Sequence, residues 1–175
     1  MLSGCLSGET SSELSQTISF PPYQLNIHTG YQLGNKDNII DKRIVKKVLA
    51  IYQNSTSTLS NQYQDNIIIS EDTLSPRASL EDYVQAGIGG IAYTRWKYES
   101  LNFKKWTLSC AGKEIPTITN SFSIYRTPPN QTPETLYFVQ HFIHSDDKIT
   151  TLSLSSLSED TLSQFTDIIS SISCR

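Results

Sequence analysis

The stretch LYFVQHFIHSDDKITTLSL, residues 136–154, decides the fold predicted for this chain. Leu136 to Ile143 has apolar residues at both odd and even positions, which is typical of a strand covered on both faces. Ser145 to Lys148 has the composition of a tight turn, and Ile149 to Leu154 follows as the returning strand. These residues therefore predict a hairpin in the middle of a sheet.

Five other segments have the apolar alternation or the short apolar runs of strands. They are Tyr23–Ile27, Ile44–Tyr52, Ile67–Ile69, Lys105–Cys110 and Thr117–Arg126. The second of these also fits a helical stripe, but its Val, Ile and Tyr content favours a strand. The last four predicted strands follow one another through short connections, and this order is typical of an antiparallel sheet.

An amphipathic helix is predicted to begin at Leu80. Ser79 precedes it and Asp82 lies three residues after Ser79, a close relative of the capping box. Its apolar positions continue at spacings of three and four as far as Ile91. Its second half contains three glycines, which we expect either to allow close packing against the sheet or to end the helix early: Gly87, Gly89 and Gly90.

A second helix is predicted at the carboxyl terminus. Ser158 is its expected cap, and Glu159 and Asp160 place negative charge at the positive end of the helix dipole. Its buried stripe comprises Leu162, Phe165, Ile168, Ile169 and Ile172. The two helices are expected to cover the apolar faces of the sheet, which gives an α+β fold class.

The first five residues, MLSGC, contain Leu-Ser-Gly-Cys, which resembles the lipobox of bacterial lipoproteins with Cys5 as the lipidated residue. A basic segment and an apolar run should precede a lipobox, and only four residues precede Cys5, so either the start is truncated or the match is accidental. Residues 6–17 have the polar composition of a flexible tether, or of an ordinary disordered terminus with a chance cysteine. We expect residues 1–17 to form this start and tether, and residues 18–175 to form a single domain.

The other two cysteines are Cys110 and Cys174. If Cys5 carries a lipid, an even number of cysteines remains outside the cytoplasm, and this predicts one disulfide between them. Two buried free thiols are the alternative. The sequence has no C-x-x-C pair, which argues against a zinc site or a thioredoxin-type redox centre.

Composition excludes several broad classes of protein. A hydrophobic share of 37% is too high for general disorder, and no stretch approaches the ~20 apolar residues of a membrane-spanning helix. A formal net charge of −3 gives no basic excess that would favour nucleic acid as the main partner.

One basic cluster is interpreted as protecting a sheet edge from aggregation, with attraction to an anionic surface as the alternative. It comprises Lys42, Arg43, Lys46 and Lys47.

No residue pattern in the sequence predicts catalysis, a cofactor or a metal site. The G-x-S-x-G elbow of serine hydrolases is missing, and so is the Lys-Ser or Lys-Thr of a phosphate-binding loop. His141 and His144 lie three residues apart on a predicted strand, so their rings should point to opposite faces. The carboxylate pair Glu71–Asp72 is interpreted as turn charge.

Aromatic residues are concentrated just before and within one predicted strand. Core packing explains most of them, and the alternative is an aromatic-lined groove for a sugar or a peptide. The residues of this predicted groove are Trp96, Tyr98 and Trp106.

Residues 66–69 (NIII) and 79–83 (SLEDY), taken with the order of the elements, resemble the PsbP-like domain and its bacterial lipoprotein relatives. The resemblance covers about residues 18–174. It implies an α/β/α sandwich with a central antiparallel sheet of about six to seven strands and two main covering helices. It also implies a role without chemistry, because known members are mostly assembly factors, binders of proteins or carbohydrates, or envelope lipoproteins. No catalytic residue is carried over from the family.

We therefore expect a bacterial envelope lipoprotein that is held at the membrane by a lipid on Cys5. It would recognise a protein or glycan partner without enzymatic activity, cofactor or nucleic acid. Two alternatives stay open. One is an envelope hydrolase that uses His141 or His144, and the other is a cytosolic interaction domain, since some relatives of the PsbP-like family bind small GTPases.

Overall fold

The computed structural model describes residues 14–34, 47–54, 63–92, 94, 96–127 and 132–175. Within these ranges the chain forms ten strands and two helices. In chain order they are β1 (Leu14–Phe20), β2 (Tyr23–His28), β3 (Tyr31–Leu33), β4 (Lys47–Asn54), β5 (Asn66–Thr73), α1 (Leu80–Ala92), β6 (Lys97–Cys110), β7 (Lys113–Arg126), β8 (Glu134–Ser145), β9 (Lys148–Ser156), α2 (Thr161–Ser170) and β10 (Ser173–Cys174). Neither of the helices in these ranges is long and apolar enough to cross a membrane.

A seven-stranded antiparallel sheet forms the middle of the domain, with the strand order β3-β4-β5-β9-β8-β7-β6. Strands β8 and β9 form the predicted hairpin, in which Phe138 pairs with Ser155. Strand β8 is paired along both edges and buries apolar side chains on both faces, including Val139 and Phe142. The predicted α+β class and the predicted size of the central sheet are confirmed.

Strands β6 and β7 form a long hairpin at one edge of this sheet, with 14 residues in each strand. Both are longer than the sequence predicts, because cross-strand pairing extends over residues that are mostly polar. The turn between them contains Ala111 and Gly112, with φ angles of 49° and 80°. Gly112 adopts this left-handed conformation without the steric cost that a Cβ would add.

A second sheet has the order β1-β2-β10. Its middle strand β2 is the predicted strand Tyr23–Ile27, whereas β1, β10 and the existence of a separate sheet were not predicted. Residues 14–17 were expected in the tether, but they belong to β1 and pair with β2, so this part of the expectation is wrong. Ile18 and Phe20 are the buried apolar residues among the part of β1 whose side chains are described, residues 16–20. Thr17 instead donates its hydroxyl hydrogen to Oδ1 of Asn26 across the strand pair, at 2.8 Å. Cys5 and the rest of the expected tether lie outside the described residues.

The two faces of the large sheet are covered by different elements. Helix α2 and the small sheet cover the face that includes Val139, and a large core joins Leu25 and Phe165 to it. We call this the α2 face. Helix α1 covers part of the opposite face, where Val84 packs in a smaller core with Phe142. We call this the α1 face, and the arrangement matches the expected sandwich with one helix on each side.

Helix α2 begins later than predicted. Asp160, not Ser158, occupies the cap position, and its side chain makes no capping hydrogen bond. Ser158 instead uses its carbonyl oxygen to accept a hydrogen bond from the Thr161 hydroxyl, at 2.6 Å, in the turn before the helix. Most of the predicted apolar stripe is buried, with Phe165 and Ile168 fully inaccessible to solvent, but Leu162 is only partly buried.

The basic cluster lies mostly outside the described residues, which include only Lys47. Lys47 is exposed at the start of β4. Strand β3 pairs only with Tyr52–Asn54, so among the described residues the first half of β4 has no neighbouring strand on that side. A role for the cluster in protecting this edge stays a prediction.

Candidate functional site

A disulfide joins Cys110 at the end of β6 to Cys174 in β10. Their Cα atoms lie 5.5 Å apart, within the range that a disulfide spans. This is the pairing that the count of cysteines predicts. It connects the edge strand of the large sheet to the last strand of the small sheet.

The aromatic residues of the predicted groove do not share a face. A bulge between Ser100 and Asn102 shifts the register of β6, so even-numbered residues before and after it point to opposite faces. Tyr98 lies on the α1 face, where its ring centroid is 5.2 Å from that of Phe122. Trp106 packs against the core of the α2 face. One continuous groove lined by both residues is therefore not formed.

Trp106 belongs to a polar chain inside the α2 face. Its indole N–H donates to Oγ1 of Thr119 at 3.0 Å, and this hydroxyl bonds Nδ1 of His141 at 2.9 Å. His141 is fully buried, and burial lowers the pKa of its ring to about 3. The ring is therefore neutral at neutral pH. The Thr119 hydroxyl has one hydrogen and two lone pairs, so it can accept from the indole N–H and at the same time donate to Nδ1 of the neutral His141 ring.

The two histidines are separated by the sheet, as their spacing predicts. His141 lies on the α2 face, whereas His144 is half-exposed beyond Phe142 on the α1 face. Across the described ranges there is no cluster of three or more His, Cys, Asp or Glu residues suited to a metal ion.

Trp96 stands outside the core, just before β6. It is 43% exposed, and two other large hydrophobic residues near this end of β6, Leu101 and Tyr125, are 41% and 44% exposed. Lys97 pairs with Tyr125 in the hairpin, and its amino group lies 5.8 Å from the centroid of that ring. We call Trp96, Leu101 and Tyr125 the β6 surface; they lie along the edge of the sheet formed by β6 and β7, and Tyr125 is on the face opposite Tyr98.

A pocket of about 380 Å³ lies between α1 and the sheet. Asp72 of β5 and Gln140 and Phe142 of β8 contribute to it from the sheet. The interpretation of Asp72 as a turn charge is wrong, because it lies within β5. Counting in twos from Ile68 places Asp72 on the α1 face, and this period-two pattern is the signal that could have found it.

Tyr83 connects the helix to this carboxylate. The capping box fixes the start of α1, because the Asp82 N–H donates to Oγ of Ser79 at 3.1 Å and the Ser79 N–H donates to Oδ2 of Asp82 at 3.0 Å. One residue further on, the Tyr83 hydroxyl donates to Oδ2 of Asp72 at 2.8 Å. Burial raises the pKa of Tyr83, and the hydrogen bond and charge of Asp72 raise it further. Tyr83 therefore stays a phenol, able to donate to the carboxylate.

Gly87 forms part of the helix wall of the pocket. A Cβ atom added at Gly87 would meet no atom within 4 Å, and the same holds at Gly89 and Gly90. The glycines neither pack closely against the sheet nor end the helix, which continues to Ala92, so both expectations about them are wrong. At Gly87 the missing side chain leaves open space inside the pocket.

No protein-family model and no curated protein matches the chain. Among solved structures, the chain is similar to cyanobacterial PsbP (CyanoP) from Synechocystis sp. PCC 6803, with a TM-score of 0.63, 15% identity and coverage of 98% of both chains. It is also similar to the Ran-binding protein Mog1p of Saccharomyces cerevisiae, with a TM-score of 0.52 and 10% identity, over 91% of this chain and 94% of that one. The chain has a PsbP-like fold. The resemblance seen in the sequence is confirmed at the level of the fold.

Proposed function

We propose that this protein is a bacterial envelope lipoprotein, anchored through a lipid on Cys5, whose PsbP-like domain binds a partner and catalyses no reaction. The main support for a location outside the cytoplasm is the Cys110–Cys174 disulfide, because disulfides persist mainly in oxidising surroundings. The lipobox-like sequence before Cys5 supports attachment of the lipid.

The binding role is supported by the fold and by the β6 surface. CyanoP and Mog1p are similar to the chain in fold, and Mog1p is a Ran-binding protein. The β6 surface offers exposed aromatic rings of the kind that are enriched in interfaces and that also stack on sugars. We propose that this surface makes the contact with a protein or glycan partner.

Lipidation is tested by labelling cells that express the full-length precursor with radioactive palmitate. We expect the protein to take up label and the Cys5→Ser variant to take up none. Equal labelling of both, or labelling of neither, would contradict the anchor.

The compartment is tested by counting free thiols in natively purified protein after denaturation without a reductant. We expect no reactive thiol, since Cys5 carries the lipid and the other two cysteines form the disulfide. Three reactive thiols would instead favour the cytosolic interaction domain.

The β6 surface is tested by placing a photo-crosslinking amino acid at Trp96 in living cells. Leu33 is the matched control, because it lies on β3 at the opposite edge of the sheet and is 69% exposed. We expect a discrete crosslinked product from Trp96 only, which a glycan hydrolase or a protease then assigns to a glycan or a protein partner. The same products from both positions, or no product from Trp96, would refute this surface.

The hydrolase alternative has little support from the geometry. His141 is enclosed in the core, neutral, and bonded to Thr119, so no substrate can reach its ring. His144 lies on the other face of the sheet, and the two rings cannot act together.

A further inference from the structure

We propose that the pocket between α1 and the sheet binds a small free molecule with an apolar body and a protonated amine head. This site lies apart from the β6 surface and does not depend on the function proposed above.

The apolar body is matched by the walls of the pocket. Val84 and Ile91 of α1 and Phe142 of β8 present aliphatic and aromatic surface, and Gly87 leaves the space between them open. The volume of about 380 Å³ lies at the lower end of the range of small-molecule sites, which suits a ligand of modest size.

The amine head is matched by the polar groups of the pocket. The Asp72 carboxylate accepts hydrogen bonds from the Tyr83 hydroxyl at 2.8 Å and from the Thr73 N–H at 2.9 Å. A carboxylate has about four lone-pair positions, so it can accept further donors. Gln140 adds an amide at the same pocket. The head of the ligand must therefore donate hydrogen bonds.

The charge around the pocket favours a cation over a neutral donor. Among the described residues, those that line the pocket include no Lys, Arg or His. Two lysines of the large sheet form ion pairs with glutamates that do not line the pocket: Lys105 pairs with Glu81 at 2.6 Å, and Lys148 pairs with Glu71 at 3.5 Å. An ammonium group would supply the missing positive charge and form a charge-assisted hydrogen bond with Asp72.

The first test is titration calorimetry of the purified domain with three probes that share a phenyl ring and a short chain: phenethylamine, phenethyl alcohol and hydrocinnamate. We expect phenethylamine to bind about tenfold more tightly than the alcohol, as one charged hydrogen bond allows, and hydrocinnamate to show no binding. Equal affinities for the three probes would overturn the proposal.

The second test uses matched variants on one helix. Gly87→Leu places a side chain in the pocket and should abolish binding of phenethylamine. Gly90→Leu adds the same side chain on the exposed part of α1 outside the pocket, and it should bind like the wild type. Circular dichroism checks that both variants fold. Wild-type affinity of Gly87→Leu would overturn the proposal.

The third test asks whether binding needs the negative charge of Asp72, and whether the amine belongs to a free molecule or to a protein. Asp72→Asn keeps an acceptor for Tyr83 and should lower the affinity for the amine about tenfold, whereas Asp147→Asn removes an exposed carboxylate elsewhere and should have no effect. Equal affinities of these two variants would contradict the role of Asp72.

A short lysine-containing peptide is the last probe, because the lysine side chain carries the same protonated amine. If the peptide binds more tightly than phenethylamine, the pocket recognises a segment of protein and the proposal of a free ligand is wrong.

Discussion

The buried histidine gives a prediction about acid stability. The pKa of His141 falls to about 3 in the folded protein, whereas an imidazole in an unfolded chain titrates near ~6.5. Between these values the unfolded chain binds a proton that the folded protein does not bind. The contribution of His141 to stability is therefore fully present above about pH 6.5 and is lost progressively as the pH falls towards 3.

The size of this effect follows from the two pKa values. At pH 5 the unfolded state gains roughly 2 kcal/mol from protonating this ring, while the folded state gains almost nothing. At pH 7 the same gain is only about 0.2 kcal/mol. We expect wild-type protein to lose roughly 2 kcal/mol of unfolding free energy between pH 7 and pH 5 through His141 alone.

Urea denaturation at both pH values, followed by circular dichroism, measures this loss. Because other groups also titrate, the relevant quantity is the difference from the His141→Gln variant, which is neutral at every pH. The loss should be about 2 kcal/mol smaller in this variant than in the wild type. If His141→Gln does not fold, the ring proton of His141 in an NMR titration of the wild type gives the same information. Equal losses in wild type and variant, or a ring that titrates above pH 6, would refute the reasoning.

Three further predictions concern the stability of the fold. Replacing both Cys110 and Cys174 by Ser opens a link across 64 residues and should cost about 4 kcal/mol in urea denaturation, and an unchanged midpoint would show that the link does not form in solution. Phe165→Ala should cost about 3–5 kcal/mol because the ring is fully buried, whereas Gln164→Ala, at the exposed neighbour, should change stability by less than about 0.5 kcal/mol. Gly112→Ala should cost about 1 kcal/mol in the same assay, since φ is 80° at this turn, and a stabilised variant would contradict that conformation.

The central elements of the fold were predictable because their signals are local. The run from Leu136 to Ile143 is apolar on both faces, and the β8–β9 hairpin follows from it and from its turn. Both helices have apolar residues at helical spacing, so α1 and the buried stripe of α2 could be located without knowing their neighbours.

The small sheet could be predicted only in part. Its middle strand β2 follows from the local alternation of Tyr23–Ile27. Strand β10 has two residues, which pair with Gln24 and Tyr23 of β2 some 150 positions earlier, and pairing between such distant segments leaves no local pattern. Strand β1 pairs with β2 in a local hairpin, but its mostly polar sequence predicts a tether as far as Thr17.

The candidate groove failed for a different reason. Tyr98 and Trp106 have the same parity, and a regular strand would place them on one face. The bulge at Leu101 adds one residue and reverses this relation for every later side chain of β6. Nothing in the surrounding polar sequence marks a bulge, so the reversal appears only once the register with β7 is known.

The open pocket on the α1 face also bears on the ligand proposed above. Gly87→Ala would add a helix-favouring residue where a Cβ meets no atom, and such a change is worth about 0.5–1 kcal/mol. The same change would begin to fill the pocket beside Phe142 and Asp72. The proposed ligand requires this space, so the open position at Gly87 fits the proposal at a small cost in helix stability. On the α2 face, by contrast, helix α2 and the small sheet pack over a large core, and His141 is fully buried. The α1 face has the open space in which the proposed ligand would bind.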